Sequence, residues 1–275
     1  MQDICFGIAS YRRADNQRTL DYLERMDIDR EHIIMSVQCE EDRAQYERAG
    51  IGKRVGRLIY RAGKNVSDNR NTLLDSVPPG TKLVMLDDDI NAICRLDGKG
   101  LRKIEDRDEF YSMLKRGYTL AARHRTVGFG LYPVKNAYFM SAGYAERNVV
   151  IGTLFAIVNT DLRFDAEMAT KEDYEYCCRA IRRYGAFVRL NNYVCDAQHY
   201  TKGGCEEAWN DKAELYRTAR RLVGRYPDIL ALNPKRPGEV KMKGTPFYPL
   251  HPVSSRLVRS KKCRFHEVFL TFWIP

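Results

Sequence analysis

No run of apolar residues in this 275-residue chain approaches the ~20 needed to cross a bilayer as a helix, so no membrane span is expected. No glycine-rich GxGxxG or GxxxxGK[ST] loop follows the first strand-like run, which removes the main support for dinucleotide-binding and P-loop readings. No two cysteines are spaced CxxC. The eight present (Cys5, Cys39, Cys94, Cys177, Cys178, Cys195, Cys205 and Cys263) are scattered, mostly within apolar stretches, and read as reduced thiols. Cys195, His199 and Cys205 are close in sequence, but their spacing fits no structural zinc pattern and a fourth ligand is missing. No basic flank precedes the strand-like run at Ile4, so no signal peptide and a cytoplasmic location are expected. Internal repeats and low-complexity segments are absent as well.

What the chain does contain is enough apolar sequence, 44%, beside 30% charged residues, to bury one large core behind a polar surface. The formal charge of +10 favours polyanionic partners, whether nucleic acid, nucleotide phosphates or an anionic surface. That charge is uneven. From Lys235 to the end, nine Lys and Arg face only Glu239 and Glu267, with Phe247, Tyr248 and Phe265 among them. Basic residues interleaved with aromatics suit a nucleic-acid backbone with bases nearby, and a solvated basic tail is the plainer reading.

The first ninety residues alternate short apolar runs with helical patterns. Strands are predicted at Ile4–Tyr11, His32–Val37, Arg57–Tyr60 and Lys82–Asp87, and helices at Thr19–Met26, Asp42–Ala49 and through Leu73 and Leu74. Such alternation indicates βαβ units and a mostly parallel, Rossmann-like α/β sheet flanked by helices. The fourth run stops abruptly in Asp87, Asp88 and Asp89. In strand geometry Asp87 and Asp89 share one side and Asp88 takes the other. Two carboxylates on one side suit a hard divalent cation bridging to phosphate oxygens, and an acidic turn after a strand is the bland alternative.

Further on, a basic helical segment is expected over Leu101–Arg125, with strands at Val127–Pro133 and Tyr138–Met140 whose glycines and aromatics suit acceptor contact or packing equally. Val149–Val158 reads as a strand with Gly152 inside it, where a ligand or backbone can approach closely. Ala169–Ile181 opens a helix with Glu172 and Asp173, and Thr170 is its expected N-cap. Trp209–Tyr226 is the last predicted helix.

The order of these parts resembles a metal-dependent GT-A glycosyltransferase over roughly Ile4 to Gly204. The resemblance rests on a first strand ending in Ser-Tyr, an Asn-Arg-Asn loop opening a helix, a strand ending in Asp-x-Asp, a glycine-bearing strand and a Glu-Asp helix start. It implies nucleoside contact by Ala9, Ser10, Tyr11 and Arg12, and phosphate contact by Arg70 with Asn69 and by Lys202. It further implies donor contact at Asp88 and Gly152, and Mn²⁺ or Mg²⁺ held by Asp87, Asp89 and His199. Asp173 would be the general base of an inverting transfer, and Glu172 would hold the acceptor or replace it as base. The donor implied is a nucleotide diphosphate sugar, UDP-sugar first. Within the fold, the basic tail and the His199-to-Gly204 sequence His-Tyr-Thr-Lys-Gly-Gly look most like the TET-associated, phage-type enzymes that glycosylate hydroxymethylated pyrimidines such as 5-hydroxymethylcytosine in DNA. That likeness would place the protein in a bacteriophage-infected cell's cytoplasm. Residues 1–204 are then the catalytic domain and 205–275 a helix plus basic C-terminal extension. Other readings stay open: a glycan, lipid or protein acceptor on the same fold, a nucleotidyltransferase, or a nucleic-acid-binding module with an inactive core.

Overall fold

The computed structural model describes residues 4–168, 170–197 and 211–243. His199, Lys202 and the basic extension beyond Lys243 lie outside the described residues. Strands β1 (Ile4–Ala9), β2 (Ile33–Val37), β3 (Arg57–Tyr60) and β4 (Lys82–Asp87) are mutually parallel and lie in the order β3-β2-β1-β4. Their continuous apolar character follows from burial on both faces. Phe6, Ile8, Val84 and Leu86 point to one cluster, shared with α1 (Arg18–Arg25), α2 (Glu40–Arg48) and α4 (Arg107–Arg123). Leu83 and Met85 point the other way, towards α3 (Val66–Asp75), α5 (Glu172–Tyr184) and α6 (Lys212–Arg225).

Among the described residues, the remaining strands extend a ten-stranded mixed sheet. β9 (Leu154–Val158) runs antiparallel to β4, and β7 (Gly128–Tyr132) antiparallel to β9. β10 (Val188–Ala197) then lies parallel to β7, with the short β8 (Tyr144–Ala145) against it. The β5–β6 hairpin (Ile90–Asp97 and Gly100–Lys103) closes this side, and β11 (Leu230–Leu232) pairs with β12 (Val240–Met242) as a separate ribbon. Two consequences place the site. The chain leaves β1 in one direction and returns to β4 on its other side, so a crevice opens at the carboxyl ends of β1 and β4. The carboxyl ends of β7 and β10 and the amino end of β9 open on that same edge.

Several local expectations are corrected. Leu101–Lys103 belongs to strand β6, and the helix begins only at Arg107, where Asp106 accepts the Glu109 N–H. Residues 137–139 form a 3-10 turn, not a strand. β9 starts at Leu154 because Gly152 and Thr153 form a turn whose Gly152 N–H goes to the Asp173 carboxylate instead of a neighbouring strand. Thr170 is not the cap of α5: Lys171 holds that position with a left-handed φ of 60°.

One buried side chain ties the site's elements together from behind. Asn159, just past β9, donates to the carbonyls of Leu74 (2.9 Å) and Val77 (2.8 Å), fixing the α3–β4 connection. Asn159→Ala leaves those buried carbonyls unsatisfied and is predicted to lower stability by about 1–3 kcal/mol, read as a lower urea midpoint at unchanged m-value.

Candidate active site

The turn that follows β4 is held from three directions. Strand alternation ends at Asp87, and Asp88 and Asp89 form the turn into β5. The Thr19 hydroxyl donates to the Asp87 carbonyl (2.5 Å) and accepts the Ile90 N–H (2.9 Å), clamping both ends of the turn. Asp88 folds back under β1, where it accepts from the Ser10 hydroxyl (2.6 Å), the Tyr11 N–H (3.4 Å) and the Arg13 guanidinium (2.5 Å). Arg13 reaches Asp89 as well, at 3.5 Å. Tyr46 of α2 supports this corner, its hydroxyl sharing a hydrogen bond with Ser10 Oγ (2.6 Å) and accepting the Arg13 N–H (3.0 Å). Asn69 donates to the Ser10 carbonyl at 3.2 Å.

Arg70 joins this corner to the second half of the chain. Its side chain is only 4% exposed, with Nη1 on Glu172 Oε1 (2.6 Å) and Nη2 on Asp87 Oδ1 (2.9 Å). The guanidinium lies 5.4 Å from the Phe164 ring centre and 5.9 Å from that of Phe155. Gly152 is the neighbour that makes this fit: a Cβ there would stand 2.0 Å from Arg70 Nη2. Asp173 sits beside it, its two oxygens accepting the backbone N–H groups of Gly152 (3.0 Å) and Tyr174 (2.8 Å). Asp87, Asp89, Arg70, Gly152, Glu172 and Asp173 thus meet in one cluster although the chain separates the two groups by more than sixty residues.

The electrostatics follow from that packing. Burial, reinforced by the charges of Asp87 and Asp88, pushes the Asp89 carboxyl up to about 7 against the pull of Arg13. Glu172 is likewise raised to about 7 by burial and by Asp173, with Arg70 opposing. Burial also raises Asp88 and Asp173, the latter against Arg70 and its two backbone donors. Burial works against the charge on Arg70, but Asp87, Glu172 and Asp173 outweigh it and hold the guanidinium above its ordinary value.

Asp89 Oδ1 is buried with no hydrogen-bond partner among the described residues, while Asp87 keeps a third of its side chain exposed beside it. An orphaned carboxylate oxygen next to a second carboxylate is a donor set of the charge and hardness that a divalent cation takes. Among the described residues no group of three or more His, Cys, Asp or Glu is arranged to hold a metal, and His199, the expected third ligand, falls outside them.

No protein-family model matches the chain, and no curated protein matches its sequence. Among solved structures, the mannosyltransferase PcManGT from Pyrobaculum calidifontis, in complex with GDP-Man and Mn²⁺, superposes with a TM-score of 0.51 at 14% identity, over 82% of this chain and 63% of that one. The fold is GT-A. Residues 1–349 of TarS from S. aureus align at a TM-score of 0.49 and 10% identity, over 80% of this chain and 65% of that one. The chain therefore spans slightly under two thirds of the length of these GT-A neighbours.

Relative to the sequence expectations, the site is differently wired at β1. Arg12 is exposed, left-handed (φ 54°) and stacked 4.8 Å over Tyr11, whereas its neighbour Arg13 is the buried one. Ala9, the last residue of β1, pairs with Asp87 across the switch point. Asp88 accepts from the Ser10 hydroxyl, and Arg70 is paired with Asp87 and Glu172. Arg13, Thr19 and Tyr46 were not singled out from sequence; the Arg12-Arg13 pair was a signal, but only packing decides which arginine turns inward.

Two outcomes follow. Gly152→Ala must displace Arg70 and is predicted to destabilise by about 1–3 kcal/mol, measured by chemical denaturation. An Asp89 carboxyl near 7 when folded and near 4 when unfolded means the folded state binds more protons between those values, so metal-free stability falls as pH rises from about 4 to 7 and stays lower above. Asp89→Asn removes that loss: the metal-free variant is predicted to exceed wild type by about 1–2 kcal/mol at pH 8, with the gap closing towards pH 4.

Proposed function

We propose that this chain is a metal-dependent glycosyltransferase that moves a sugar from a nucleotide diphosphate sugar, UDP-sugar first, onto a hydroxymethylpyrimidine in DNA. The observation that carries the reading is the joining of the Asp87–Asp89 pair to Glu172 and Asp173 through one buried arginine at the crevice edge of a GT-A sheet.

Asp87 and Asp89 would hold the divalent cation, with His199 as the third ligand named from sequence. A cation bound there supplies positive charge for the departing diphosphate. Asp173 is the base. Its two backbone donors fix its orientation and leave lone pairs on both oxygens to take the acceptor proton. As the proton moves to Asp173, the acceptor oxygen bonds to the anomeric carbon. The carbon–phosphate-oxygen bond breaks with its electron pair on the nucleoside diphosphate, and attack opposite the leaving group inverts the centre. Glu172, tied to Arg70, sets Asp173's surroundings and is not itself open to the acceptor in the same way. Lys202 and Tyr11, just past the end of β1, are the donor contacts in this reading.

The DNA acceptor is supported by the +10 charge and the basic, aromatic C-terminal sequence. A second support is the segment after β7, on the same edge as the carboxylates. There Tyr138 is 86% and Phe139 60% exposed, ring centres 5.0 Å apart. Exposed aromatic faces suit an unstacked base.

Incubation with a panel of nucleotide sugars and Mn²⁺, with or without 5-hydroxymethylcytosine DNA, is expected to release nucleoside diphosphate in a DNA-stimulated manner. Release indifferent to DNA keeps the transfer and discards the DNA acceptor; release of pyrophosphate indicates nucleotidyl transfer instead. In the same assay Asp173→Asn is predicted to lower kcat by about 10²-fold or more with donor KM little changed. Tyr138→Ala is predicted to raise the KM for DNA roughly tenfold while leaving DNA-independent donor hydrolysis unaltered.

A further inference from the structure

The cluster holds more negative charge than its own cations balance. Five carboxyl groups, Asp87, Asp88, Asp89, Glu172 and Asp173, crowd the two guanidinium groups of Arg13 and Arg70 among the described residues, while the nearby Lys171 lies 3.8 Å from Glu239. Within that balance Arg13 has an unusual position. It comes from the loop after β1 and its side chain is 10% exposed. The guanidinium is anchored at 2.5 Å on Asp88, which is turned away under β1, and it leans at 3.5 Å on Asp89 Oδ2, while Asp89 Oδ1 is orphaned. The anchor is firm. Asp88 is further fixed by Ser10, and the Arg13 N–H is fixed by Tyr46. The contact to Asp89 is the longer and looser of the two, so it can open without disturbing the anchor.

We propose that Arg13 is a resident counter-ion for Asp89 that sets the affinity of the cation site: it holds the acidic turn together without metal and yields Asp89 when a divalent cation enters. This rests on the metal reading of the Asp87–Asp89 pair given above. An arginine a few ångströms from the incoming cation repels it and also competes for the same carboxylate, so both effects weaken metal binding. Arg13 would thereby keep affinity low enough for the cation to arrive and leave with the diphosphate. It is a positioning residue and touches neither donor nor acceptor in this role.

The test uses the full chain without donor or DNA. Mn²⁺ is titrated into wild type and Arg13→Gln, with free Mn²⁺ followed by electron paramagnetic resonance and binding heat by calorimetry. Thermal unfolding is recorded with and without the metal. Arg13→Gln is expected to bind Mn²⁺ about tenfold tighter and to melt lower than wild type without metal, with saturating Mn²⁺ recovering most of the difference. Unchanged or weaker Mn²⁺ binding by folded Arg13→Gln overturns the inference while leaving the metal site intact. Absence of Mn²⁺ binding by wild type overturns the metal reading and this inference together. A crystal structure of wild type with Mn²⁺ tests the proposal independently of any variant's folding: the Arg13–Asp88 pair is expected to persist with Arg13 withdrawn beyond 4 Å from Asp89, and an Arg13–Asp89 contact retained beside bound Mn²⁺ overturns the proposal.

Discussion

The structure around the crevice depends on one buried guanidinium. Taking Arg70 out of water costs several kcal/mol, and only good geometry to opposite charges offsets that. It has such geometry on two sides, through Asp87 at the end of β4 and Glu172 at the start of α5, with Phe155 and Phe164 along its faces. Each partner is acidic, and each lies beside another acid, so without Arg70 the carboxylates would repel one another in a poorly solvated corner. Gly152 completes the arrangement by leaving room for the guanidinium and giving its N–H to Asp173. The same side chain therefore sets the distance between the pair suited to a cation and the carboxylate suited to a proton.

Topology decides where this cluster can form. β1 and β4 are neighbours although 72 residues separate Ala9 from Lys82, and their carboxyl ends meet where the direction of winding reverses. β9 enters antiparallel to β4, so its amino end, with Gly152 before it, comes to the same edge. The exposed Tyr138 and Phe139 reach that edge because β7 runs in the direction of β4. Separate segments of the chain, each uninformative alone, are brought to one rim by strand order.

Much of this was legible in the sequence. β1 to β4 and their helices follow from apolar runs and helical spacing, and β3 is found at Arg57–Tyr60 as read. The abrupt end of β4 in acids, a glycine within the apolar run Val149–Val158 and Glu-Asp at a helix start pointed to the residues that the structure gathers. What was not legible lies at element ends. Period-2 alternation placed Asp88 opposite Asp87 and Asp89, but the strand stops at Asp87, and a turn obeys different geometry. Thr170 has the chemistry of an N-cap, yet Lys171 takes the position in a left-handed conformation that no spacing rule signals. Arg12 and Arg13 are identical in composition and differ only in which side of a loop packs against Asp88. Strand β6 was hidden because its basic, exposed positions resemble those of the helix that follows.

The central claim is that Arg70 couples the two halves of the site energetically as well as spatially. A double-mutant cycle in denaturant, using Arg70→Met, Glu172→Gln and the double variant in the metal-free protein, measures that coupling directly. A coupling energy of about 1.5–3 kcal/mol is predicted, as for groups in one buried network. Additive effects, within about 0.5 kcal/mol, would contradict it and would separate the Asp87 corner from the Glu172–Asp173 helix as independent structures.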